Sequence, residues 1–392
     1  MAVAADLKVV ALRGSTPSQW PVELKLVCGT STRIQWEEKS DLKTIYSELL
    51  QERDRHASTT PTTDTSTLTP GRSRLRSSPS SISTSRRTGQ ADAVTLGDQW
   101  LAPAIRDGLL MPIPDAHRSR WWASLPPHWR ALVTRDDRTG APSTSGSVYG
   151  APYRWGSTVI GTHGKILRHA GGRPVRDYAD LLQPVLRGRV ALTGVTRDLL
   201  TIALGVHGFS PDTAFDQVKR RLPGGLEPLA ETVRRLQRHV LVASTEEHLR
   251  AFQTREAWCV VGLSANVVPL ATRAGADLTI PESGGTLWAD LWCVPRWADG
   301  GDGLVGPSPL WPLLAEFGLE PTRAHARPGR SFAEGQSPLL LPHNIYTEEE
   351  KGGGGGSGGS GPWRPSRESL TRSAFLPPLS PRDARIFSDM LR

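Results

Sequence analysis

Short runs of apolar and β-branched residues alternate with amphipathic segments of helical periodicity along most of the chain. This alternation is typical of βαβ units and predicts parallel sheets covered by helices. The predicted strands, each with the helix that follows it, are Lys8–Leu12 with Pro17–Val27, Thr32–Glu37 with Asp41–Gln51, Ala93–Gly97 with Gln99–Leu109, Val190–Thr193 with Arg197–Val206, and Leu241–Ala243 with a helix opened by Ser244. Two further strands are predicted at Trp258–Leu263 and Leu278–Pro281.

Two helix starts carry local capping signals. Ser244 is followed three residues later by Glu247, which is the pattern of a capping box. Ser380 is followed by Pro381, a residue favoured in the first helical turn because its missing N–H has no helical partner there. The sequence therefore predicts helices that begin at these two serines.

Two segments depart from the alternating pattern. Residues 57–90 are rich in Ser, Thr, Arg and Pro and have few large apolar side chains, so they are predicted to be a disordered insertion in a surface loop. Residues 352–361 read GGGGGSGGSG, the composition of a flexible linker. Both segments are expected to lie outside the packed body.

The positive charge of the chain is concentrated in two places. The formal net charge of the 392 residues is +8. Residues 71–90 contribute five arginines and no acid, and residues 361–392 contribute six arginines against three acids, which leaves the remainder near neutral. Nucleic-acid binding is therefore not predicted for the folded body. No apolar run approaches the roughly 20 residues of a membrane span, and the first 15 residues lack the pattern of a signal peptide.

The chain lacks the sequence signatures of a metal site or a catalytic centre. Its three cysteines, Cys28, Cys259 and Cys293, include no C-x-x-C pair, and the last two lie in apolar runs that predict buried free thiols. No histidines have metal-ligand spacing, and neither H-E-x-x-H nor a nucleophile elbow occurs. We therefore predict no metal, no cofactor and no catalytic residue.

Candidate ligand contacts follow the predicted strands. Open α/β sheets bind ligands beyond the carboxyl ends of their strands. Ser15 and Thr16 come after the first strand, and Asp98 and Trp100 come after Ala93–Gly97. Asp98 precedes a helix and is equally consistent with a helix cap, and Trp100 is also consistent with core packing.

Two extended stretches combine tryptophan with charged residues. The first, YGAPYRWGSTVIG at 149–161, contains Trp155, for which ligand contact and packing are equal alternatives. The second, PESGGTLWADLWCVP at 281–295, places Trp288 and Asp290 on one strand face. Asp290 must be exposed or paired, because a buried unpaired carboxylate is costly, and either a ligand or an arginine such as Arg13 or Arg154 would pair with it.

These stretches, with DAVTLGDQWLAPAIRDGLLMPIP at 92–114, VALTGVTRDLLTIALGVHGFS at 190–210 and AWCVVGLSA at 257–265, resemble the spermidine/putrescine-binding periplasmic proteins of ABC transporters. The chain looks like a divergent member of the type seen in photosynthetic lineages. The resemblance implies a two-lobed α/β periplasmic-binding-protein fold (type II) with hinge strands between the lobes. Trp288 and Asp290 fall on family positions that grip a polyamine, where carboxylates bind the ammonium groups and aromatic faces cover the methylenes.

The resemblance also implies a domain organisation and partners. Lobe one is predicted at 1–155 plus 289–330, and lobe two at 156–288 plus 331–392. The chain is expected to be a monomer that captures a polyamine by closure and delivers it to ABC transporter membrane subunits. The family is exported to the periplasm, and its photosynthetic branch suggests a plastid setting.

Other cleft positions depart from the family pattern and leave alternatives open. The first cleft loop reads RGST where the family has aromatic and acidic groups, and Gly194 and Val195 stand where an acid is expected. A binder of a small anion, with Arg13, Arg154 and Arg197 facing the cleft, is therefore an alternative. An enzyme on the same two-lobe fold is a third.

Overall fold

The computed structural model describes residues 5–29, 31–59, 90–194, 196–298, 306–320, 338, 363 and 365–391. Most of the predicted insertion and the whole of the 352–361 linker lie outside these ranges. The predicted start of the insertion, residue 57, was wrong, because the second helix runs on to Thr59. Its last turns are supported by an ion pair of Glu52 with Arg55 and by a contact between Glu52 and His56 at 3.3 Å, at spacings of three and four residues, rather than by an apolar face.

Strands and helices alternate as the sequence predicts. The strands are β1 (Asp6–Leu12), β2 (Arg33–Lys39), β3 (Ala93–Gly97), β4 (Leu110–Met111), β5 (Thr134–Arg135), β6 (Ser147–Val148), β7 (Ala151–Thr162), β8 (Val190–Leu192), β9 (Val240–Ala243), β10 (Cys259–Leu263), β11 (Asp277–Thr279), β12 (Thr286–Pro295) and β13 (Ala374–Phe375).

The α-helices of the described ranges are α1 (Trp20–Cys28), α2 (Leu42–Thr59), α3 (Asp98–Arg106), α4 (Arg120–Ser124), α5 (Pro127–Val133), α6 (Gly164–His169), α7 (Thr196–Val206), α8 (Phe215–Arg221), α9 (Glu227–His239), α10 (Glu247–Gln253), α11 (Ser264–Ala274), α12 (Trp311–Leu319), α13 (Arg367–Thr371) and α14 (Pro381–Met390). Short 3₁₀ turns lie at Ala116–Arg118, Tyr178–Leu182 and Pro184–Leu186. None of the described helices is both long enough and apolar enough to cross a membrane.

The two capping signals have different outcomes. Ser380 accepts a hydrogen bond from the Asp383 amide at 3.0 Å, so the predicted cap of α14 is confirmed. Ser244 accepts the amides of Glu246 and Glu247, at 3.3 and 3.2 Å, but α10 itself begins at Glu247. The predicted start at Ser244 was therefore early by two residues, since the N-cap position of α10 is Glu246.

The sheet runs in the order β2-β1-β3-β12-β7-β10-β8-β9, with β4 and β13 also paired to β12 and β11 to β7. Neighbours β2, β1 and β3 are parallel, as are β10, β8 and β9. Between these two parallel groups, β12 and β7 run antiparallel to each other and to their outer neighbours.

The long strands β7 and β12 join the two parallel groups. The first half of β7 pairs with β12, and its second half, from Thr158 to Thr162, pairs with β10. Strand β12 pairs with β7 from Leu287 to Trp292 and with β3 from Asp290 to Cys293. The carboxyl end of β3 therefore lies next to the middle of β12, and β1 lies on the other side of β3.

Two hydrophobic clusters hold the elements in place. One packs β1, β3 and β12 against α1 and α3, with Leu7, Leu24, Leu101 and Leu291 fully buried. The second packs β8 against α7 and α9, through Ala203, Leu229 and Val233 among others. Cys259 and Cys293 are buried free thiols, as predicted, and burial raises the pKa of both.

Candidate functional site

Polar side chains gather where β1 and β3 end beside the long strands. Ser15 and Thr16 follow β1, Asp98 follows β3, and Arg154 and Asp290 lie in the middle of β7 and β12. All five side chains are buried. Buried polar groups need hydrogen-bond partners, so the contacts among these residues decide what the site can bind.

Asp290 and Arg154 form a buried ion pair. Arg154 Nε donates to Asp290 Oδ2 at 2.6 Å, and Arg154 Nη1 donates to the carbonyl oxygen of Gly14 at 3.4 Å. The guanidinium carbon also lies 5.3 Å from the centre of the Trp288 ring, within cation–π range. Asp290 is therefore satisfied by Arg154, one of the two arginines that the sequence proposed as its partner.

The register of β7 against β12 creates this arrangement. Asp290 lies opposite Arg154, Trp288 lies opposite Gly156, and a register shift follows Asp290, so that Leu291 lies opposite Pro152. A β-carbon on Gly156 would lie 2.5 Å from the Trp288 ring and 2.5 Å from Ser264 Oγ. Only glycine leaves room for the indole to lie across β7 next to the first residue of α11.

A short hydrogen-bonded chain connects β7 to β1 and β3. Tyr153 Oη donates to Ser15 Oγ at 2.7 Å and lies 3.1 Å from Thr95 Oγ1. Thr95 Oγ1 accepts the Leu12 amide at 3.3 Å. Ser15 is therefore engaged with Tyr153, and burial raises the pKa of Tyr153, which keeps the phenol neutral.

Asp98 is the first residue of α3, and its carboxyl group reaches across to β12. The Ala289 amide donates to Asp98 Oδ1 at 3.0 Å. The N-cap position of α3 is Gly97, so Asp98 is not the helix cap. Burial raises the pKa of Asp98 to about 7, against the opposing effects of the Ala289 amide and the charge of Arg135. The nearby Asp290 charge is a second cause that raises the pKa of Asp98 to this value. Asp98 thus titrates near neutral pH.

The other two tryptophans predicted for the site point elsewhere. Trp100 is half-buried and packs on Tyr46, with ring centres 4.7 Å apart. Trp155 is 1% exposed and lies 6.4 Å from Trp129. Because successive strand residues face opposite sides of a sheet, Trp155 points away from the side that carries Arg154 and Trp288. The structure thus brings Asp290, Trp288, Asp98 and Ser15 together, with Thr16 beside them, and leaves Trp100 and Trp155 in packing positions.

Several buried polar atoms near the strand ends have no hydrogen-bond partner among the described residues. They are Thr16 Oγ1, Ser264 Oγ, Trp288 Nε1 and His248 Nε2. Ser264 Oγ and the Trp288 ring approach the same point, the place of a β-carbon on Gly156. Such unpaired groups are candidates for ligand contact. Ser264 follows β10 and so lies at a strand end, the kind of position that the sequence nominates for ligand contact, whereas nothing in the sequence gave His248 a site role.

Of the arginines of the anion alternative, Arg13 directly precedes Gly14, whose carbonyl accepts from Arg154, whereas Arg197 makes its contact elsewhere. Arg13 is exposed after β1. Arg197 Nη2 donates to the Pro377 carbonyl at 3.4 Å, and burial lowers the pKa of Arg197 to about 10. On the second parallel group, Thr193 Oγ1 donates to Asp198, and burial raises the pKa of Asp198 to about 6.

Within the described ranges, no group of three or more His, Cys, Asp or Glu side chains is placed to hold a metal ion.

Comparison with known proteins identifies the family to which the chain belongs. Residues 77–302, more than half of the chain, match the family described as bacterial extracellular solute-binding protein. The spermidine/putrescine-binding periplasmic protein of Escherichia coli is 24% identical over 222 residues, which cover 56% of this chain and 58% of that protein. The Salmonella typhimurium protein of the same description is 24% identical over 166 residues, 42% and 44% of the two chains. The match to the Escherichia coli relative thus spans less than two thirds of its length.

Solved structures match nearly the whole chain. The spermidine/putrescine substrate-binding protein PotD of Streptococcus pneumoniae gives a TM-score of 0.65 at 14% identity, with 98% of this chain and 97% of that chain covered. The TpPotD lipoprotein of Treponema pallidum gives 0.61 at 13% identity, with 99% of each chain covered. At these identities the likeness concerns the fold, and it confirms the predicted two-lobed α/β periplasmic-binding-protein fold.

Proposed function

The chain belongs to the bacterial extracellular solute-binding proteins, and from that premise we propose that it captures a polyamine such as spermidine or putrescine and delivers it to the membrane subunits of an ABC-type transporter. The proposed contacts are Asp290 and Trp288 on β12, Asp98 at the start of α3, and Ser15 and Thr16 after β1. The curated relatives that the chain matches are described as spermidine/putrescine-binding.

One observation carries this proposal: Asp290 and Trp288 both contact the guanidinium of Arg154, which is a cation. The carboxylate takes a charge-assisted hydrogen bond from Arg154, and the indole face lies over the same guanidinium. A primary ammonium is recognised by the same two groups, the carboxylate for its charge and the aromatic face for its attached methylenes. The proposed ammonium position is thus the position that Arg154 now fills.

Asp98 offers a second carboxyl group for a polyamine, which has a charge at each end. Its pKa of about 7 leaves it partly protonated at neutral pH. A nearby ligand ammonium would favour the ionised form, so polyamine binding should release a proton. No bond-making step is proposed, because the relatives are named as binding proteins and not as enzymes.

A small anion is the second candidate, favoured by the fact that Asp290 is already paired. With Arg154 neutralising Asp290 and Asp98 partly protonated, the junction of β7 and β12 has little free negative charge. The exposed Arg13 adds positive charge at the end of β1. A carboxylate or phosphate ligand would use these arginines, which suit planar oxyanions.

Calorimetric titration with spermidine, putrescine, succinate and inorganic phosphate tests the proposal. We expect the polyamines to bind and Asp290→Asn to weaken them about tenfold or more, because a hydrogen bond to a charged group contributes roughly 1.5–3 kcal/mol. Asp277→Asn, which removes an exposed acid of β11, should leave the affinity unchanged.

Two results would contradict the polyamine assignment: wild-type protein that binds neither polyamine, or Asp290→Asn protein that binds as tightly as wild type. Tighter binding of succinate or phosphate would favour the anion. Thermal unfolding must accompany the titrations, because Asp290→Asn leaves Arg154 buried without its partner, a change that costs about 3–5 kcal/mol in comparable pairs.

A further inference from the structure

The guanidinium of Arg154 sits in a setting that has the parts of a ligand site for a cation. It donates to a carboxylate, Asp290 Oδ2, at 2.6 Å and to a carbonyl, Gly14 O, at 3.4 Å, and it lies 5.3 Å from the Trp288 ring centre. Carboxylate, carbonyl and aromatic face are the groups that bind an ammonium or guanidinium ion. We name these three groups the cation cage.

The cage holds Arg154 firmly because the pair is desolvated. Arg154 is 6% exposed and Asp290 is 4% exposed. Removing one member of a buried pair leaves the other charge uncompensated, which is costly. Arg154 is therefore expected to leave the cation cage only when another cation takes its place.

Arg154 also competes as a tethered group. It projects from β7 directly opposite Asp290, so its effective concentration at the cage is high compared with that of a free solute. A ligand that needs the cage binds only to the fraction of molecules in which Arg154 has left, and its apparent affinity falls by that fraction.

We propose that Arg154 is the specificity-determining residue of the cleft: a built-in cation that occupies the Asp290–Trp288 cage and admits a ligand ammonium there only by being displaced. This inference rests on the proposed function, since it assigns a role within the same cleft. The other arginines considered for the cleft do not share the role. Arg13 is exposed, and Arg197 donates to Pro377.

The first test asks whether the cage accepts a free cation once Arg154 is removed. Arg154→Ala should unfold at a lower temperature than wild type, and millimolar methylguanidinium chloride should raise that temperature by several degrees, because a ligand that binds only the folded state stabilises it. Sodium chloride at equal ionic strength should not do so. Arg168→Ala is the matched control, because Arg168 also pairs with an aspartate, Asp277, but at an exposed position and 3.8 Å away.

The second test measures ligand affinity by calorimetry. Arg154→Gln should bind putrescine at least about tenfold more tightly than wild type, since the competing charge is gone while a side chain of similar size remains. Arg154→Lys keeps a tethered cation and should stay near the wild-type affinity. If Arg154→Ala does not fold, Arg154→Gln serves for the methylguanidinium test as well.

The outcomes separate this inference from the proposed function. If methylguanidinium stabilises the variant no more than sodium chloride does, or Arg154→Gln gains no putrescine affinity over a wild type that binds it, the role of Arg154 is refuted and the polyamine assignment stands on the wild-type titration. If methylguanidinium rescues the variant but neither wild type nor Arg154→Gln binds a polyamine, the cage role is supported and the polyamine assignment fails.

Discussion

Two buried carboxyl groups of the candidate site, Asp290 and Asp98, have their charges compensated in different ways. Asp290 has a full ion pair with Arg154, whereas Asp98 has a backbone amide and the more distant charge of Arg135. The difference follows from their positions, since Asp290 faces a guanidinium across a strand pair and Asp98 faces an amide. A buried carboxyl group without an adjacent cation retains its proton more readily, so the Asp98 charge changes near neutral pH.

We predict that Asp98 makes the protein less stable as the pH rises from about 4 to about 7. Burial raises its pKa from 3.8 to about 7 in the folded state, so the folded chain binds more protons than the unfolded chain in this window and loses stability as the pH rises. At about 1.4 kcal/mol for each pH unit, the loss is at most ~4 kcal/mol.

Asp98→Asn keeps an oxygen that can accept the Ala289 amide and should remove this loss. Denaturant unfolding of wild type and variant between pH 4 and pH 8 measures the difference. Asp277→Asn, an exposed acid, is the control and should follow the wild-type curve. Parallel pH profiles for Asp98→Asn and wild type would show that Asp98 does not titrate in this range.

The strand pair β7–β12 does more than connect the two parallel groups. Its register places Gly156 under Trp288 and Arg154 beside Asp290. Since the two aligned residues on β12 are two apart, both project to the same face. The strand pair therefore positions the groups of the cation cage. The cage depends on Gly156, because a side chain there would displace the Trp288 indole.

We predict that Gly156→Ala disrupts the cage. Its β-carbon would lie 2.5 Å from both the Trp288 ring and Ser264 Oγ, so the indole must move. Overpacking of this kind costs roughly 1–3 kcal/mol, and cation binding should weaken as well. Gly150→Ala is the matched control, because its nearest neighbour, the Leu291 side chain, is 3.2 Å away. Thermal unfolding and putrescine titration of both variants check this, and equal effects of the two would argue against a special role for Gly156.

At the level of the whole molecule, the two parallel strand groups are linked through β7 and β12. Polar side chains follow the strands of each group, such as Ser15 after β1 in the first and Ser264 after β10 in the second. A ligand that contacts both groups of loops favours the arrangement in which they are close. Hinge closure between the two lobes stays a prediction. The predicted boundaries also stay predictions: 1–155 plus 289–330 for lobe one, and 156–288 plus 331–392 for lobe two.

We predict that ligand binding compacts the protein. Small-angle X-ray scattering with and without saturating ligand should show a smaller radius of gyration in the bound state, as expected for hinge closure around a ligand. Asp290→Asn at the same ligand concentration should show a smaller change, in proportion to its occupancy. An unchanged scattering profile at full calorimetric saturation would rule out hinge closure.

The local pattern of the chain predicted what depends on local physics. Alternating strand and helix signals predicted the α/β fold, Ser380 predicted the cap of α14, and the apolar runs around Cys259 and Cys293 predicted buried thiols. The need of Asp290 for a partner also followed from its position in an apolar strand, because a buried carboxylate without one is costly. Where the local signal was charge pairing rather than an apolar face, as at the end of α2, the boundary was missed.

The tertiary structure decided which groups meet. Arg154 and Asp290 are 136 residues apart, and spacing along either strand does not fix how the two strands align. The pairs from Leu287–Ser157 to Asp290–Arg154 keep one register, and the shift that follows Asp290 leaves Tyr153 without a partner in the ladder. In the same alignment the Trp155 side chain points into the core, and the Trp288 ring lies against the guanidinium of Arg154. Cross-strand register is set by packing of the whole sheet, so the sequence alone determined that Asp290 needs a partner if it is buried, and only the folded sheet decided that it is buried and that Arg154 is its partner.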